Sequence, residues 1–247
     1  MFDLSKEPIL KTIQYTIIAF ILLTIAMPAI YAHHLWIESS NDQYAVIRGI
    51  VPDRIDPYDP YCIREIGAFG KDGEPIDIER LDSQDQVRFI SGKRIAMATT
   101  WSEWGYRVNT TRGKRLITRA EAEEEGLQVL SAFFSTHYAK SLLEPLDIAG
   151  QPAGLRFEIV PLGNPVNKEP GSEVEFLVLF DGQPLAETTL YTEGGNESVT
   201  DENGRAIVTV PDTNTALLYA RHRIDITGDD KKDYDIFTTF LTFGVKK

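Results

Sequence analysis

The sequence predicts a mainly β protein with two β-sandwich domains of immunoglobulin-like or transthyretin-like type, the first carrying a short helical insertion. Three observations support this prediction. Short runs rich in β-branched and aromatic residues recur along the chain. Turn-forming pairs such as Asp181-Gly182 separate these runs. A helix-start signal is evident in one stretch, at Thr118.

The N-terminal segment resembles a secretory signal peptide. Residues 17–27 are almost continuously apolar, but the run is shorter than the roughly 20 residues that a membrane-spanning helix needs. Small and helix-breaking residues follow, which predicts cleavage after Ala32, a signal peptide over residues 1–32 and a periplasmic protein without a permanent membrane span. Ile30 is larger than usual at its position before the cut, and an uncleaved N-terminal anchor is the alternative.

The first predicted domain covers residues 33–150. Its helical segment, at about 118–135, opens with Thr118 and Glu121 at capping-box spacing. Gly126 is expected to divide this segment into two pieces, and residues 136–148 could continue the helix or form a strand. The predicted strands of this domain are residues 44–50, 63–69, 87–90 and 94–100.

The second predicted domain, residues 151–247, is an immunoglobulin-like sandwich that follows a boundary near residues 149–152. Its β pattern is cleaner, and short strands at regular spacing with tight turns between them are typical of a sandwich. The predicted strands are residues 155–162, 173–180, 184–192, 205–211, 216–224 and 236–245.

Composition and motifs exclude several classes of function. The formal net charge of −12 disfavours nucleic-acid binding, because an acidic surface repels phosphate groups. Cys62 is the single cysteine, so no intramolecular disulfide can form. The nucleophile motif GxSxG and the nucleotide-binding motifs GxGxxG and Walker A are absent. We therefore expect a protein that is not an enzyme.

The histidines are the strongest lead to a function, because two of the four in the chain are His33 and His34. Cleavage after Ala32 would make His33 the first residue, with an α-amine and an imidazole that can chelate one metal ion together. His34, at the second position, could instead provide a site made of the α-amine, its own amide nitrogen and its imidazole. Leu35 at the third mature position excludes the motif that places a histidine there. A solvated chain end is the alternative interpretation.

The other two histidines lie in apolar surroundings. Strand alternation places His222 on one face with Leu218 and Ala220. A histidine on such an apolar face is more often a core residue with hydrogen-bonded ring nitrogens than a metal ligand. His137 follows Phe133 and Phe134 at helical spacing, and a core role is favoured there more strongly.

Several short motifs, in this order, resemble those of a known family of exported bacterial proteins. The mature start is His33-His34-Leu35-Trp36-Ile37-Glu38. The later motifs are Tyr138-Ala139-Lys140-Ser141-Leu142, residues 157–165, residues 179–185, residues 200–205 and Ala220-Arg221-His222. On these residues the chain is identified as a member of the DUF4198 family.

The resemblance implies a periplasmic component linked to cobalt and nickel uptake. It aligns His33 rather than His34 with the family's leading histidine, and it makes His222 a candidate ligand. The segment around Tyr58, Tyr61 and Cys62 and the stretch 101–117 depart from the usual family pattern, so the region 51–117 could have a role of its own.

Three hypotheses follow. In the first, the protein is a metal-binding accessory of a membrane metal-transport system. His33 holds nickel or cobalt, with copper open, and His222 approaches from the second domain. In the second, His33 and another histidine form a copper brace in an oxidative enzyme. In the third, two β-sandwich modules bind a partner without using any histidine.

Overall fold

The structure is a computed structural model that describes residues 33–40, 43–51, 54–148, 150–193 and 195–247. Residues His33–Lys247 form one compact unit. The predicted signal peptide, residues 1–32, lies outside the described residues. Among the helices of the described part, none has both the length and the apolar character that crossing a membrane requires.

The described residues form a mainly β fold, as predicted. The helical elements are a 3-10 turn at Pro60–Cys62 and the helix α1 at Arg119–Glu124. The strands are β1 His34–Ser40, β2 Gln43–Ile50, β3 Arg54–Ile55, β4 Ile63–Phe69, β5 Glu79–Asp82, β6 Val87–Ile90, β7 Met97–Thr110, β8 Gly113–Arg115, β9 Val129–Leu142, β10 Phe157–Pro161, β11 Glu173–Phe180, β12 Gln183–Pro184, β13 Thr189–Thr192, β14 Glu197–Val199, β15 Arg205–Thr209, β16 Thr215–Asp225 and β17 Tyr234–Gly244.

These strands are arranged in three sheets. The N-terminal sheet has the order β1-β2-β6-β5, with β3 paired to β2. The central sheet has the order β14-β13-β16-β17-β9-β7-β4, with β8 paired to β7. The C-terminal sheet has the order β10-β11-β12, with β15 also paired to β11. The pairing of β17 with β9 is parallel, whereas the other named pairs are antiparallel.

The central sheet is the middle layer of the molecule, because its two faces bury side chains in two different cores. Leu217 and Phe240 pack in a core with residues of the N-terminal sheet. Their immediate neighbours Leu218 and Leu241 pack in a second core with residues of the C-terminal sheet. Successive residues of a strand point to opposite faces, so near-continuous apolar runs in β16 and β17 are what a sheet covered on both faces requires.

The prediction of two separate immunoglobulin-like or transthyretin-like domains is not confirmed. The central sheet takes strands from both sides of the predicted boundary near residue 150. β9 from the first half pairs with β17 from the second over ten residue pairs, from Tyr234↔Phe133 to Phe243↔Leu142. The sheet is therefore continuous across that boundary.

The predicted helix over about 118–135 is wrong beyond Glu124. The capping box is present as predicted, since the Thr118 side chain accepts from the Glu121 amide and the Glu121 carboxylate accepts from the Thr118 amide. Gly126 follows in the left-handed region with φ +70°, where glycine ends helices readily. The chain then forms β9, which is held by β7 on one side and β17 on the other. Long-range pairing thus overrides the local helical spacing of Phe133, Phe134 and His137.

A buried ion pair joins the central sheet to the C-terminal sheet. Lys140 of β9 donates to Glu158 of β10, and the two side chains are 2% and 1% exposed. Glu158 also accepts hydrogen bonds from the amides of Ala153, Gly154 and Leu155, at 2.7, 3.1 and 3.2 Å. The carboxylate therefore fixes the connection between β9 and β10 as well as neutralising the lysine.

Candidate functional site

His33 directly precedes β1 and is the first residue of the compact unit. β1 is an edge strand of the N-terminal sheet, and it is anchored to the central sheet through Ser141. The Ser141 hydroxyl accepts from the Ile37 amide at 2.8 Å and from the Thr242 hydroxyl at 2.7 Å. The start of β1 is therefore held in a defined position against the middle layer.

The hairpin of β2 and β3 brings a carboxylate to the His33 ring. Asp56 follows β3, and its amide donates to the Arg48 carbonyl at 2.8 Å. The His33 Nε2 atom lies 3.2 Å from Asp56 Oδ2 and 3.3 Å from a guanidinium nitrogen of Arg54. Arg54 also pairs with Asp56 at 2.9 Å. The three side chains thus form a small polar cluster on one side of the imidazole.

The cluster has a hydrogen-bond partner for Nε2 in either tautomer of His33. When Nε2 carries the proton it donates to Asp56, and Nδ1 keeps its lone pair. When Nδ1 carries the proton, Nε2 accepts from Arg54. Only the first tautomer leaves Nδ1 available, and Nδ1 is the nitrogen that can chelate a metal together with the α-amine of the same residue. A carboxylate on the outer nitrogen of a metal-binding histidine is the usual device for fixing its tautomer.

The pKa of His33 is lowered from its ordinary value, mainly by burial and further by the positive charge of Arg48. The Asp56 carboxylate opposes this shift. A lowered pKa keeps the imidazole neutral near pH 7, which is the form that binds metals.

His34 is a core residue in this structure. Its side chain is buried, and its ring lies 5.7 Å from that of Tyr219 and 6.0 Å from that of Phe240. The His34 Nδ1 accepts from the Val51 amide at 3.4 Å. Burial lowers the pKa of His34 to about 4, with the charges of Arg221 and His33 contributing. Both its ring surroundings and its hydrogen bond fit a neutral structural histidine.

His137 lies on the same side of the central sheet as His34. Its ring is 5.7 Å from Trp104 and 5.4 Å from Phe240, and its Nε2 is 3.4 Å from the Ser135 hydroxyl. Burial, together with the charges of Arg48, Arg221, Arg107 and His33, lowers its pKa to about 3. The apolar surroundings predicted for His137 are present, although its backbone is a strand rather than a helix.

These rings form a row across the central sheet, in the order Trp104, His137, Phe240, His34 and Tyr219. Neighbouring centroids are 5.4–6.0 Å apart. We call this the aromatic row. An arginine lies over each end of it: Arg48 is 4.8 Å from the Trp104 ring and Arg221 is 5.6 Å from the Tyr219 ring. The rings of His34 and His137 therefore lie in an aromatic row with a guanidinium group at each end.

His222 is on the other face of the central sheet. Its ring packs 4.5 Å from Phe180 and 6.3 Å from Phe157, both in the C-terminal sheet. Burial and Arg156 lower its pKa, and Asp181 raises it. The structure does not bring His222 to His33, because the middle layer separates them. We therefore leave His222 out of the candidate site, and the pairing of His33 with His222 in one site gains no support.

Two parts of the site were missed in the sequence. Asp56 gave no signal, because its position beside His33 depends on the fold-back of β3 onto β2. Arg48 did leave a signal in the sequence. Alternation in β2 places it on the same face as Tyr44 and Val46, and an arginine among such buried side chains is unusual.

The described ranges between residues 33 and 247 contain no group of three or more His, Cys, Asp or Glu side chains arranged to hold a metal ion. The α-amine of His33 is a further donor that would exist only in a chain cut after Ala32.

Comparison with known proteins places the chain in a family. The sequence profile of a family described as a domain of unknown function, DUF4198, matches residues 30–224, which is more than half of the chain. The chain belongs to the DUF4198 family. Searches of curated proteins and of solved structures found no match.

Proposed function

We propose that the protein is an exported, non-catalytic metal-binding accessory of a nickel or cobalt uptake system. Its ligand residue is His33, exposed as the mature N-terminus by cleavage after Ala32. The observation that carries the proposal is the contact between His33 Nε2 and Asp56 at 3.2 Å. With the proton on Nε2 and donated to Asp56, Nδ1 and the α-amine are left to form a chelate, as in metal sites whose histidine is oriented by a carboxylate.

The limits of the compact unit support the same assignment. The unit begins at His33, the residue that the predicted cleavage would expose. His33 is partly exposed, with 36% of its side chain accessible, whereas His34 next to it is buried. A metal ion can therefore reach the first histidine without disturbing the core. We assign no ligand role to His34 or His222.

Metal titration of two matched proteins tests the proposal. One begins at His33, and the other carries one extra alanine before it, which removes the chelating amine while keeping the imidazole. We expect nickel, cobalt or copper to bind the first protein at least tenfold more tightly. Equal affinities would refute the chelate. Binding no tighter than about 10 μM for either, about 7 kcal/mol, would favour the interaction-module hypothesis.

The orienting role of Asp56 has its own test and a matched control. In the chain beginning at His33, Asp56→Asn should lower metal affinity by about 10- to 100-fold, the usual effect of losing such a carboxylate. Asp181→Asn is the control, because Asp181 pairs with Arg156 at 2.8 Å beside His222 in the same kind of cluster. It should leave affinity unchanged. A loss of affinity in Asp181→Asn instead would move the site to His222.

A further inference from the structure

A cleft lies on the face of the central sheet that packs against the C-terminal sheet. The C-terminal sheet covers β17 and β9 through β10, and the cleft opens beside it over β7 and β4. Side chains of β4, β7, β9 and β17 form the floor, and the connection that leads into β10, residues 153–156, forms a wall. The cleft has a volume of about 510 Å³, which is a common size for a small-molecule site.

Three strands place a carboxylate and two aromatic rings side by side in this floor. Glu65 of β4 is paired with Trp101 of β7, and Trp101 is paired with Tyr138 of β9. Residues directly opposite each other share one face of a sheet, so these side chains are neighbours. The Trp101 indole donates to the Glu65 carboxylate at 3.1 Å. The rings of Phe69 and Phe237 also line the cleft, and the carboxylate is thus held beside an aromatic surface.

The charged groups of the cleft leave one negative charge uncompensated. Glu103 pairs with Arg64 at 2.9 Å, and Arg156 pairs with Asp181 at 2.8 Å. Among the residues that the structure describes, no lysine, arginine or histidine nitrogen lies within 4 Å of the Glu65 carboxylate. Glu65 is therefore the charged group of this cleft that is available to a ligand.

Gly67 keeps space open above the floor beside Glu65. It is paired with Thr99, and a methyl group on Gly67 would lie 2.6 Å from the Thr99 hydroxyl and 3.0 Å from the Phe69 ring. All three residues line the cleft. Any larger residue would therefore displace its neighbours and occupy part of the space that a ligand would use.

An organic cation complements these features better than an anion or a neutral molecule does. The face of an aromatic ring attracts a cation, most strongly at tryptophan, and the attraction increases when water is displaced. The Glu65 carboxylate adds its own attraction for a positive charge, which is stronger in a cleft than in open solvent. An anion would be repelled by the same carboxylate, and a neutral sugar would gain nothing from its charge.

We propose that this cleft binds an organic ammonium ion. The cationic group lies against Trp101 and Glu65, and the apolar part of the ligand contacts the rings of Phe69 and Phe237. The cleft is on the face of the central sheet that is turned away from the N-terminal sheet, which carries His33. The proposal is therefore independent of the proposed metal site.

Nuclear magnetic resonance titration of isotope-labelled protein, residues 33–247, tests the proposal. The chain has three tryptophans, and the indole N–H signal of Trp101 is the one that disappears in Trp101→Phe. We expect choline to shift this signal with a Kd of about 1 mM or tighter, and to leave the signals of Trp36 and Trp104 unchanged. The neutral alcohol in which carbon replaces the nitrogen of choline should bind at least tenfold more weakly at the same ionic strength.

Two variants separate the charge of Glu65 from the shape of the cleft. Glu65→Gln keeps the size of the side chain, and it should weaken choline binding at least tenfold while leaving the binding of the neutral alcohol unchanged. Glu38→Gln is the matched control, because the Glu38 carboxylate also accepts from a tryptophan indole, that of Trp36 at 2.7 Å, but the Trp36 ring is buried in a core. This variant should bind choline as wild type does.

Several results would overturn the proposal. Equal affinities for choline and the neutral alcohol would do so, as would no response of Trp101 to choline or full choline affinity in Glu65→Gln. A shift of the Trp101 signal with glucose or benzoate, but not with choline, would overturn it in favour of a sugar or an anion. If Glu65→Gln does not fold, as judged by urea unfolding, the comparison of choline with the alcohol in wild type decides. Metal binding at His33 has its own titration and is unaffected by these outcomes.

Discussion

The ion pair of Lys140 and Glu158 gives the most direct test of how the layers are held together. Replacing Glu158 with Gln removes the negative charge and leaves a lysine with 2% exposure buried without a counter-ion. Breaking one side of such a pair costs about 3–5 kcal/mol, because the remaining charge keeps its desolvation penalty. The amides of Ala153, Gly154 and Leu155 also lose a charged acceptor. We expect a loss near the upper end of that range.

Urea unfolding at pH 7, followed by tryptophan fluorescence, measures this loss. For a compact unit of this size, 3–5 kcal/mol corresponds to a melting temperature lower by about 6–20 °C. Glu175→Gln is the matched control, because Glu175 forms an exposed pair with Arg205 at 3.3 Å and should cost no more than about 1 kcal/mol. Replacing both partners, with Lys140→Met and Glu158→Leu, should recover only the part of the loss caused by the unpaired lysine, because the amides of residues 153–155 still lack their acceptor. The reasoning is refuted if Glu158→Gln costs no more than its control.

Three further predictions concern other parts of the fold. The pKa of His34 is about 4 when folded and about 6.5 when unfolded, so its contribution to stability is complete above pH 6.5 and is lost as pH falls. Between pH 6.5 and 4, His34 should lower the free energy of unfolding, as measured with urea, by about 1.4 kcal/mol per pH unit. In His34→Gln the free energy of unfolding should therefore fall less steeply with pH, by that amount. Thr118→Ala removes the helix cap and should cost about 1 kcal/mol in the same assay. Gly49→Ala places a methyl group against the Arg54 carbonyl, so it should displace β3 and weaken metal binding at His33, as measured by titration.

Each of these has a result that would count against it. An unchanged pH dependence in His34→Gln would mean that other groups, such as the buried His137 or the carboxylates, account for the acid sensitivity. A Thr118→Ala protein as stable as wild type would show that the tertiary contacts of α1 suffice. Full metal affinity in Gly49→Ala would separate the hairpin from the site, provided that the variant unfolds at a urea concentration close to that of wild type.

Local pattern was enough to predict most of the strands. The predicted bounds 63–69 and 173–180 coincide with β4 and β11, because turn-forming residues flank compact apolar runs. β9 was not predicted, since its register is set by β7 and by the distant β17. The layering has the same non-local origin: no single run shows that Leu217 and Leu218 belong to different cores.

The candidate site could be predicted only in part. The position of His33 soon after an apolar segment is readable from the sequence, and cleavage after Ala32 stays a prediction. The role of Asp56 depends on a strand of two residues, Arg54–Ile55, which is too short to leave a pattern. The separation of His222 from His33 depends on which face of the central sheet is covered by which outer sheet. That information exists only after the sheets have packed.

The placement of β17 has a consequence for when the fold can form. This strand ends at Gly244, yet it lies inside the central sheet between β16 and β9. The middle layer cannot close before β17 has been made, and folds dominated by such distant pairings form slowly. Until then β16 and β9 lack the strand that joins them. The order of the strands thus makes closure of the middle layer a late step in folding.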